Sequence, residues 1–126
     1  MTLEHEDLTG SIIGAAIEVH KHLGPGFVES IYENALCLEL RTRGIPFSRQ
    51  VAVPVVYRDV EVGLHRLDLV VGDRIVVELK AVKELADSHF VVVRSYLRAA
   101  RLEHALILNF AKATLEIKRV SLRTVA

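Results

Sequence analysis

Two acidic residues and a lysine lie close together in one short stretch of the sequence, on either side of a turn. Val, Ile and Leu dominate residues 67–71 and 75–79, and the Gly72-Asp73 pair between them predicts a β-hairpin. A tight turn there would place Asp68 roughly opposite Glu78, within one residue of register. Lys80 follows on the same strand. Two carboxylates with a nearby ammonium are what a divalent-metal site needs: oxygen ligands for the ion and a cation to position a water or steady an oxyanion.

The alternation of side chains along a strand divides this hairpin into a polar and an apolar face. The apolar face is expected to carry Leu67, Leu69, Val71, Ile75, Val77 and Leu79, and the polar face Arg66, Asp68, Val70, Val76, Glu78 and Lys80. An antiparallel hairpin often has one solvated face, so the charged residues could simply be its polar side. Spacing alone favours that simpler interpretation over a metal site.

Length and composition limit the class of protein. A chain of 126 residues, 51% hydrophobic and 25% charged, predicts one globular domain over residues 1–126. No apolar run approaches the roughly 20 residues of a membrane span, and no signal peptide is recognisable. The single cysteine, Cys37, is expected to be a buried thiol, and a cytoplasmic location follows as the default. A net charge of zero counts against strong non-specific nucleic-acid binding, but it leaves room for a local basic groove.

Hydrophobic periodicity predicts the order α-α-β-β-β-α-β-β. The first helix should begin near Leu8 with Asp7 or Thr9 as its N-cap, and the third should begin at Asp87 or Ser88. Because Pro46 and Pro54 donate no backbone hydrogen bond, the first strand is expected at a sheet edge or broken by a bulge. The predicted helices span about residues 8–23, 25–42 and 88–101, the strands 45–57, 60–71, 75–80, 104–110 and 113–120, and a frayed tail 121–126.

Glu29 lies at the edge of the apolar arc of the second predicted helix, in its first turn. A carboxylate there is able to reach across the sheet surface. On position alone, the better interpretation is that Glu29 complements the positive N-terminal end of the helix dipole.

The segment Gly26-Phe-Val-Glu29-Ser-Ile-Tyr32 resembles the pattern that defines the GxxExxY family, within the PD-(D/E)xK nuclease superfamily. Asp68 followed by Glu78-Leu79-Lys80 resembles the core signature of that superfamily, and the similarity extends from about Leu8 to Val120. The resemblance implies an α/β fold of the restriction-endonuclease-like kind, a mixed central sheet flanked by helices, with the second helix bringing Glu29 over the charged patch. It also implies that Asp68, Glu78 and the backbone of Leu79 hold Mg2+ or Mn2+, and that Lys80 and Glu29 are catalytic.

The third predicted helix departs from the family pattern at one position. Related proteins often carry Gln four residues before the tyrosine on this helix, and this sequence has Val92 before Tyr96. A Gln side chain hydrogen-bonds a carboxylate or a phosphate, and Val does not. The candidate substrate-binding residues are Tyr32, His89, Tyr96, Arg94 and Arg98. The arginine stripe, completed by Arg101, could follow a phosphate backbone or could be a solvated helix face.

Two hypotheses from different classes follow. The first is a nuclease or nuclease-like phosphodiesterase that uses Mg2+ or Mn2+ on a nucleic-acid substrate. The alternative is a non-catalytic module on the same fold that binds nucleic acid or protein, as a homodimer formed through its apolar helices or an edge strand. The neutral charge and Val92 favour the module, and the Glu29, Asp68, Glu78 and Lys80 set favours the enzyme.

Overall fold

Three helices and five strands make up the protein in the computed structural model, which describes residues 5–122. The elements in chain order are α1 (His5–Leu23), α2 (Glu29–Thr42), β1 (Phe47–Tyr57), β2 (Val60–Val71), β3 (Ile75–Lys80), α3 (Asp87–Ala100), β4 (His104–Asn109) and β5 (Glu116–Ser121). This confirms the predicted element order and the restriction-endonuclease-like α/β class. Within residues 5–122, no helix combines the length and the hydropathy needed to cross a bilayer.

The five strands form one mixed sheet in the order β1-β2-β3-β4-β5. Neighbouring strands are antiparallel except β3 and β4, which are parallel and are connected through α3. A parallel pair needs such a crossover, because the chain must return to the same end of the sheet. β1 is an edge strand with a register shift between Val55 and Val56, as its prolines predict.

A hydrophobic core lies on each face of the sheet. On one face α1 and α2 pack against β2, β3 and β4, through side chains that include Ile12, Ala16, Tyr32, Leu36, Leu69, Val77 and Leu106. On the other face α3 packs through Val93 and Leu97 against a smaller core that includes Leu67, Val76, Ala105 and Ile107. The sheet is therefore the middle of three layers, which is how an α/β domain hides both faces of a partly parallel sheet.

The β2–β3 hairpin has the predicted turn and register. Gly72 and Asp73 have φ values of +60° and 57°, and Leu69, Val70 and Val71 pair with Val77, Val76 and Ile75. Turns with two left-handed residues match the twist of the strands they join. Extending this register by one residue brings Asp68 level with Glu78.

One face assignment from the sequence is wrong. Leu69 and Val71 pack with α1 and α2, but Leu67 packs with α3 on the opposite face. The neighbouring strand is irregular at the same level, where Gln50 has a φ of 48° and is missing from a ladder that pairs Arg49 with Leu69 and Val51 with Leu67. A residue with a left-handed backbone changes the direction of the side chains that follow it on its own strand. Paired residues share a face, so strict alternation also fails at Leu67, which pairs with Val51.

Some predicted boundaries are also wrong. Helix α1 (His5–Leu23) contains both Asp7 and Thr9, and the Thr9 hydroxyl donates to the His5 carbonyl inside the helix, so neither residue is its N-cap. Helix α3 contains Asp87 and has Ala86 as its N-cap, and β5 includes Ser121. The rest of the predicted tail, 123–126, lies outside the described residues.

The hairpin turn generates a stability prediction. In Gly72→Ala the new side chain occupies a left-handed backbone position, and its Cβ lies 2.8 Å from Cδ2 of buried Leu8. The left-handed conformation alone costs about 1–2 kcal/mol in a residue with a Cβ, so urea unfolding should show at least that loss. In the control Gly63→Ala the φ is ordinary and the Cβ meets nothing within 4 Å, so stability should be unchanged or slightly higher. Equal stability of the two variants would contradict this account of the turn.

Candidate active site

Strands β2 and β3 stop pairing at the level of Asp68 and Glu78. The last ladder pair is Leu69 with Val77, and beyond it each carboxylate bonds the backbone of the opposite strand. The backbone N–H of Asp68 donates to Glu78 Oε1 at 3.0 Å, and the N–H of Leu79 donates to Asp68 Oδ2 at 3.0 Å. Side chains thus replace the ladder at the point where the strands diverge, and they occupy the opening between them.

The two carboxyl groups strongly affect each other's ionisation. Burial raises the pKa of Glu78 to about 8, and the negative charge of Asp68 adds to this effect. Burial also raises the pKa of Asp68, while the bond from the Leu79 N–H acts in the opposite direction. A side-chain hydrogen bond joins the two groups, with the proton on Glu78 and Asp68 as the acceptor. Two buried carboxylates this close do not both stay ionised without a counter-charge.

Lys80 supplies positive charge at the same place. It is half-buried at the end of β3, beside Asn109 of β4, and its charge lowers the pKa of Asp68, Glu78 and Glu29 alike. Its backbone carbonyl accepts a bond from the N–H of Phe110 at 2.8 Å, which fixes the strand at this residue. The structure therefore brings the lysine and the acidic residues together.

Glu29 reaches this cluster from the other side of the sheet. Helix α2 packs in the layer of α1, whereas Val76 and Ile107, which share the face of Glu78, pack against α3. Helix α2 therefore approaches the carboxylates from the face opposite α3, and the charges of its Glu29 and Glu33 both interact with Asp68. Burial of the Glu29 carboxyl raises its pKa, and the charges of Lys80 and Asp68 act on it in opposite directions.

Helix α3, on the sheet face opposite α2, contributes Tyr96 and His89 to the site. Burial raises the pKa of the Tyr96 hydroxyl, and the charges of Glu78 and Asp68 add to it, which places this phenol beside the pair. His89 Nδ1 accepts the backbone N–H of Ala86 at 2.9 Å, so the ring caps the first turn of α3. Val92 is 44% exposed.

The predicted arginine stripe borders a groove between α3 and the β1–β2 hairpin. A cavity of about 440 Å³ is lined by Pro54, Val55, Val56, His65, Ser95, Arg98, Ala99 and Arg101. The imidazole of His65 lies 3.3 Å from the Ser95 hydroxyl and packs edge-on against Tyr96 with a centroid distance of 4.6 Å. Through this contact the groove adjoins the tyrosine beside the carboxylates. Arg94 is half-buried and does not line this cavity.

Tyr32 is not available to a substrate. Its side chain is fully buried and stacks on Phe110 with a centroid distance of 4.5 Å. The hydroxyl donates to the Gly24 carbonyl at 2.5 Å and accepts the N–H of Phe27 at 3.2 Å. These bonds fix the connection between α1 and α2, so Tyr32 orients the helix that carries Glu29.

A polar network beside the site was missed in the sequence. Buried Glu33, one turn after Glu29, accepts hydrogen bonds from Arg49 at 2.7 Å and Gln50 at 2.9 Å. Its charge contributes to the raised pKa of Asp68. The network links α2 to β1 at the level where side chains stop alternating regularly between the two faces of the sheet. The i, i+4 spacing of Glu29 and Glu33 is the sequence signal that could have identified it.

Comparison with known proteins gives one match. A family model for the PD-(D/E)XK nuclease superfamily matches residues 6–120, which is most of the chain. The chain belongs to the PD-(D/E)XK nuclease superfamily. Searches of curated proteins and of solved structures return no significant match.

Nucleases of this superfamily typically use a divalent metal, and the residues here can be tested against one. Among residues 5–122, no three His, Cys, Asp or Glu side chains converge into a ready-made ion cluster. Mg2+, however, usually takes only one or two carboxylates and completes its shell with water and substrate phosphates. Asp68 and Glu78 each give one oxygen to a backbone N–H, which leaves one oxygen of each carboxyl for a cation once the proton between them is lost. The donor set fits such an ion.

The protonated carboxyl predicts a pH dependence in chelator-treated protein. Folding raises the pKa of Glu78 from 4.5 to about 8, so the folded state binds the extra proton between these pH values. Stability is therefore full below about pH 4.5 for this group and falls as pH rises towards 8, by at most a few kcal/mol. Glu78→Gln mimics the protonated group, so unfolding across this range should show a flatter profile and higher stability at the alkaline end.

The exposed carboxylate Glu6 provides the matched control for this measurement. Glu6→Gln should leave the shape of the pH profile as in the wild type. If Glu78→Gln and wild type follow parallel profiles, the Glu78 carboxyl does not carry the buried proton.

Proposed function

We propose that the protein is a nuclease that hydrolyses phosphodiester bonds with Mg2+ or Mn2+, and that it is a member of the GxxExxY group within its superfamily. The observation that carries this proposal is the buried Asp68–Glu78 pair beside Lys80, at the opening between β2 and β3. Clustering like charges away from water costs stability, so such clusters mark functional sites more often than simple surface polarity.

Each residue of the cluster has a role that follows from its position. Asp68 and Glu78 would hold the ion, and a backbone carbonyl at Leu79 would add a neutral ligand. When bound, the ion polarises the phosphate and lowers the pKa of a water. The Lys80 ammonium holds the attacking water and balances the negative charge that grows on the phosphate. Glu29 accepts hydrogen bonds from that water, and the Tyr96 hydroxyl donates to a phosphate oxygen.

The groove beside α3 supports nucleic acid as the substrate. Arg98 and Arg101 line it, and His65 and Ser95 add hydrogen-bonding groups. Phosphate contacts of this kind position a nucleic-acid strand without reading its sequence. The groove adjoins Tyr96, so a strand lying in it would lead towards the carboxylates. This local basic surface exists although the net charge of the chain is zero.

The role of Lys80 is tested by removing its ammonium. Lys80→Ala should lower Mg2+-dependent cleavage of a fluorescent oligonucleotide by about a hundredfold or more, since the water loses its positioning group. Stability should change little, because Lys80 is half-buried and belongs to neither core. Lys83→Ala, an exposed lysine three residues further on, should keep activity within about twofold of wild type. Full activity in Lys80→Ala would remove the proposed mechanism.

Metal binding is tested separately by thermal melting. Millimolar Mg2+ should raise the melting temperature of the wild type, because the ion binds the folded state only. The same addition should leave Asp68→Asn and Glu78→Gln unchanged, because each variant lacks one anionic ligand. Calorimetric titration should agree. If neither the melting temperature nor the calorimetric titration of the wild type responds to Mg2+ or Mn2+, the metal site is contradicted even if an activity is found.

The groove generates a binding prediction. Replacing both Arg98 and Arg101 with Ala should weaken binding to single- and double-stranded oligonucleotides and reduce the slope of log K against log salt by about one unit per lost phosphate contact. The exposed arginine Arg119 on β5 provides the control, and Arg119→Ala should retain both affinity and slope. An unchanged salt slope in the double variant would exclude the groove as the phosphate contact.

The second candidate function is a non-catalytic binding module on the same fold. The observation in its favour is the exposed Val92, at a position where a hydrogen-bonding Gln is often found in related proteins. Such a module would bind oligonucleotides through the groove with no cleavage in Mg2+ or Mn2+, and Lys80→Ala would bind as the wild type does. Cleavage by the wild type that Lys80→Ala abolishes decides for the enzyme.

A further inference from the structure

The outer part of the β1–β2 hairpin has an unpaired edge. We call residues 54–66 the hairpin arm. Over this range β2 pairs with β1, but β3 pairs with β2 only at 69–71. Within residues 5–122, therefore, no strand bonds to the other edge of residues 60–66. Backbone N–H and C=O groups along such an edge form a template for another strand.

The hairpin arm is also unusually apolar for an exposed element. Five large hydrophobic side chains are more than half exposed: Val56 60%, Tyr57 54%, Val60 61%, Val62 62% and Leu64 53%. Proteins usually protect exposed edges with lysine, proline or a covering loop, and β2 has neither lysine nor proline between residues 60 and 66. A contiguous apolar patch on an open edge is typical of an interaction site.

We propose that the occupant of this edge is a second copy of the chain, which pairs antiparallel to residues 60–66 about a two-fold axis at Gly63. In that register Val62 lies opposite Leu64 of the other copy, and Glu61 lies opposite His65. Val60 then lies opposite Arg66. The segment is thus self-complementary. Val62 and Leu64 of the two copies meet near the axis, and the end that carries Glu61 lies opposite the end that carries His65 and Arg66.

Gly63 suits the position on the axis. Its φ is ordinary, and a Cβ built on it meets no atom within 4 Å. The sheet face at Gly63 is therefore free of other atoms of the same copy. The arm's own charges argue against nucleic acid as the occupant, since Arg58 and Arg66 are offset by Asp59 and Glu61. Arg58 also packs over the Tyr57 ring at 5.5 Å.

The pairing would join two sheets into one of ten strands. Asp68 lies five residues from Gly63, so the two Asp68 residues would be about 30 Å apart along the strand direction, at roughly 3.3 Å per residue. The dimer does not depend on the proposed cleavage. It would form equally if the protein were catalytically silent.

The first test measures oligomeric state. Analytical ultracentrifugation of the wild type at tens of micromolar should show a dimer, and Leu64→Lys should raise its dissociation constant by about a hundredfold or more. Leu64 is exposed, so this variant should keep the wild-type fold as measured by circular dichroism. The control is Leu38→Lys on α2, where the side chain is 62% exposed and should leave the dimer intact.

The second test locates the axis. Antiparallel partners directly opposite each other have Cα atoms about 4.5–5.5 Å apart, a distance that a disulfide spans. Gly63→Cys should therefore form a covalent dimer under mild oxidation, whereas the wild type should not, because its Cys37 is buried. Gly10→Cys, at another exposed glycine with free space around it, is the control for chance collisions and should cross-link far more slowly.

The outcomes separate cleanly. A wild type that stays monomeric at the highest soluble concentration overturns the proposal. So does a dimer that Leu38→Lys disrupts and Leu64→Lys does not, since the contact would then be on α2. A dimer with no preferential Gly63→Cys cross-link overturns the two-fold register. Dissociation by Leu64→Lys together with the Gly63→Cys cross-link establishes it.

Discussion

The structure depends on the exchange of two hydrogen bonds between Asp68 and Glu78 where β2 and β3 diverge. Each carboxylate accepts an N–H from the opposite strand, so the backbone groups freed by the missing ladder are satisfied by side chains. An unsatisfied buried N–H would cost about 1–3 kcal/mol. The two carboxylates that are candidates to hold a metal therefore also hold the sheet together. This constraint explains how strands can separate inside a protein without leaving polar groups unpaired.

The hydrogen bonds to the backbone also determine how close the two carboxyl groups are, and therefore how strongly their charges interact. Because one oxygen of each carboxylate is committed to the backbone, the two groups are held close and their charges have to be compensated. A proton on Glu78 is one solution, because burial and the charge of Asp68 raise its pKa to about 8. A divalent cation is the other, and it would release that proton on binding. Lys80 and Glu29 lie near enough to act on either state.

The sequence predicted the hairpin well, because its information is local. A Gly-Asp turn between two apolar runs determined the register of β2 and β3, and with it the meeting of Asp68 and Glu78. Leu67 was assigned to the wrong face because the left-handed Gln50 lies on the neighbouring strand, and no pattern within β2 records it. Tyr32 was predicted to contact substrate, whereas its hydroxyl bonds backbone groups of the α1–α2 loop. Such side-chain to backbone partners cannot be identified from sequence.

The divergence of β2 from β3 has a second consequence, because a strand that leaves its neighbour exposes two edges. The edge of β3 towards Lys80 faces the opening and borders the candidate site. The edge of β2 beyond Asp68 runs outwards as the hairpin arm, and its apolar residues remain exposed. Reconnecting the strands would cover that edge, but it would also close the space between the carboxylates. An open candidate site and a free strand edge are thus two results of one break in the sheet, and in the proposed dimer a second copy pairs with that edge.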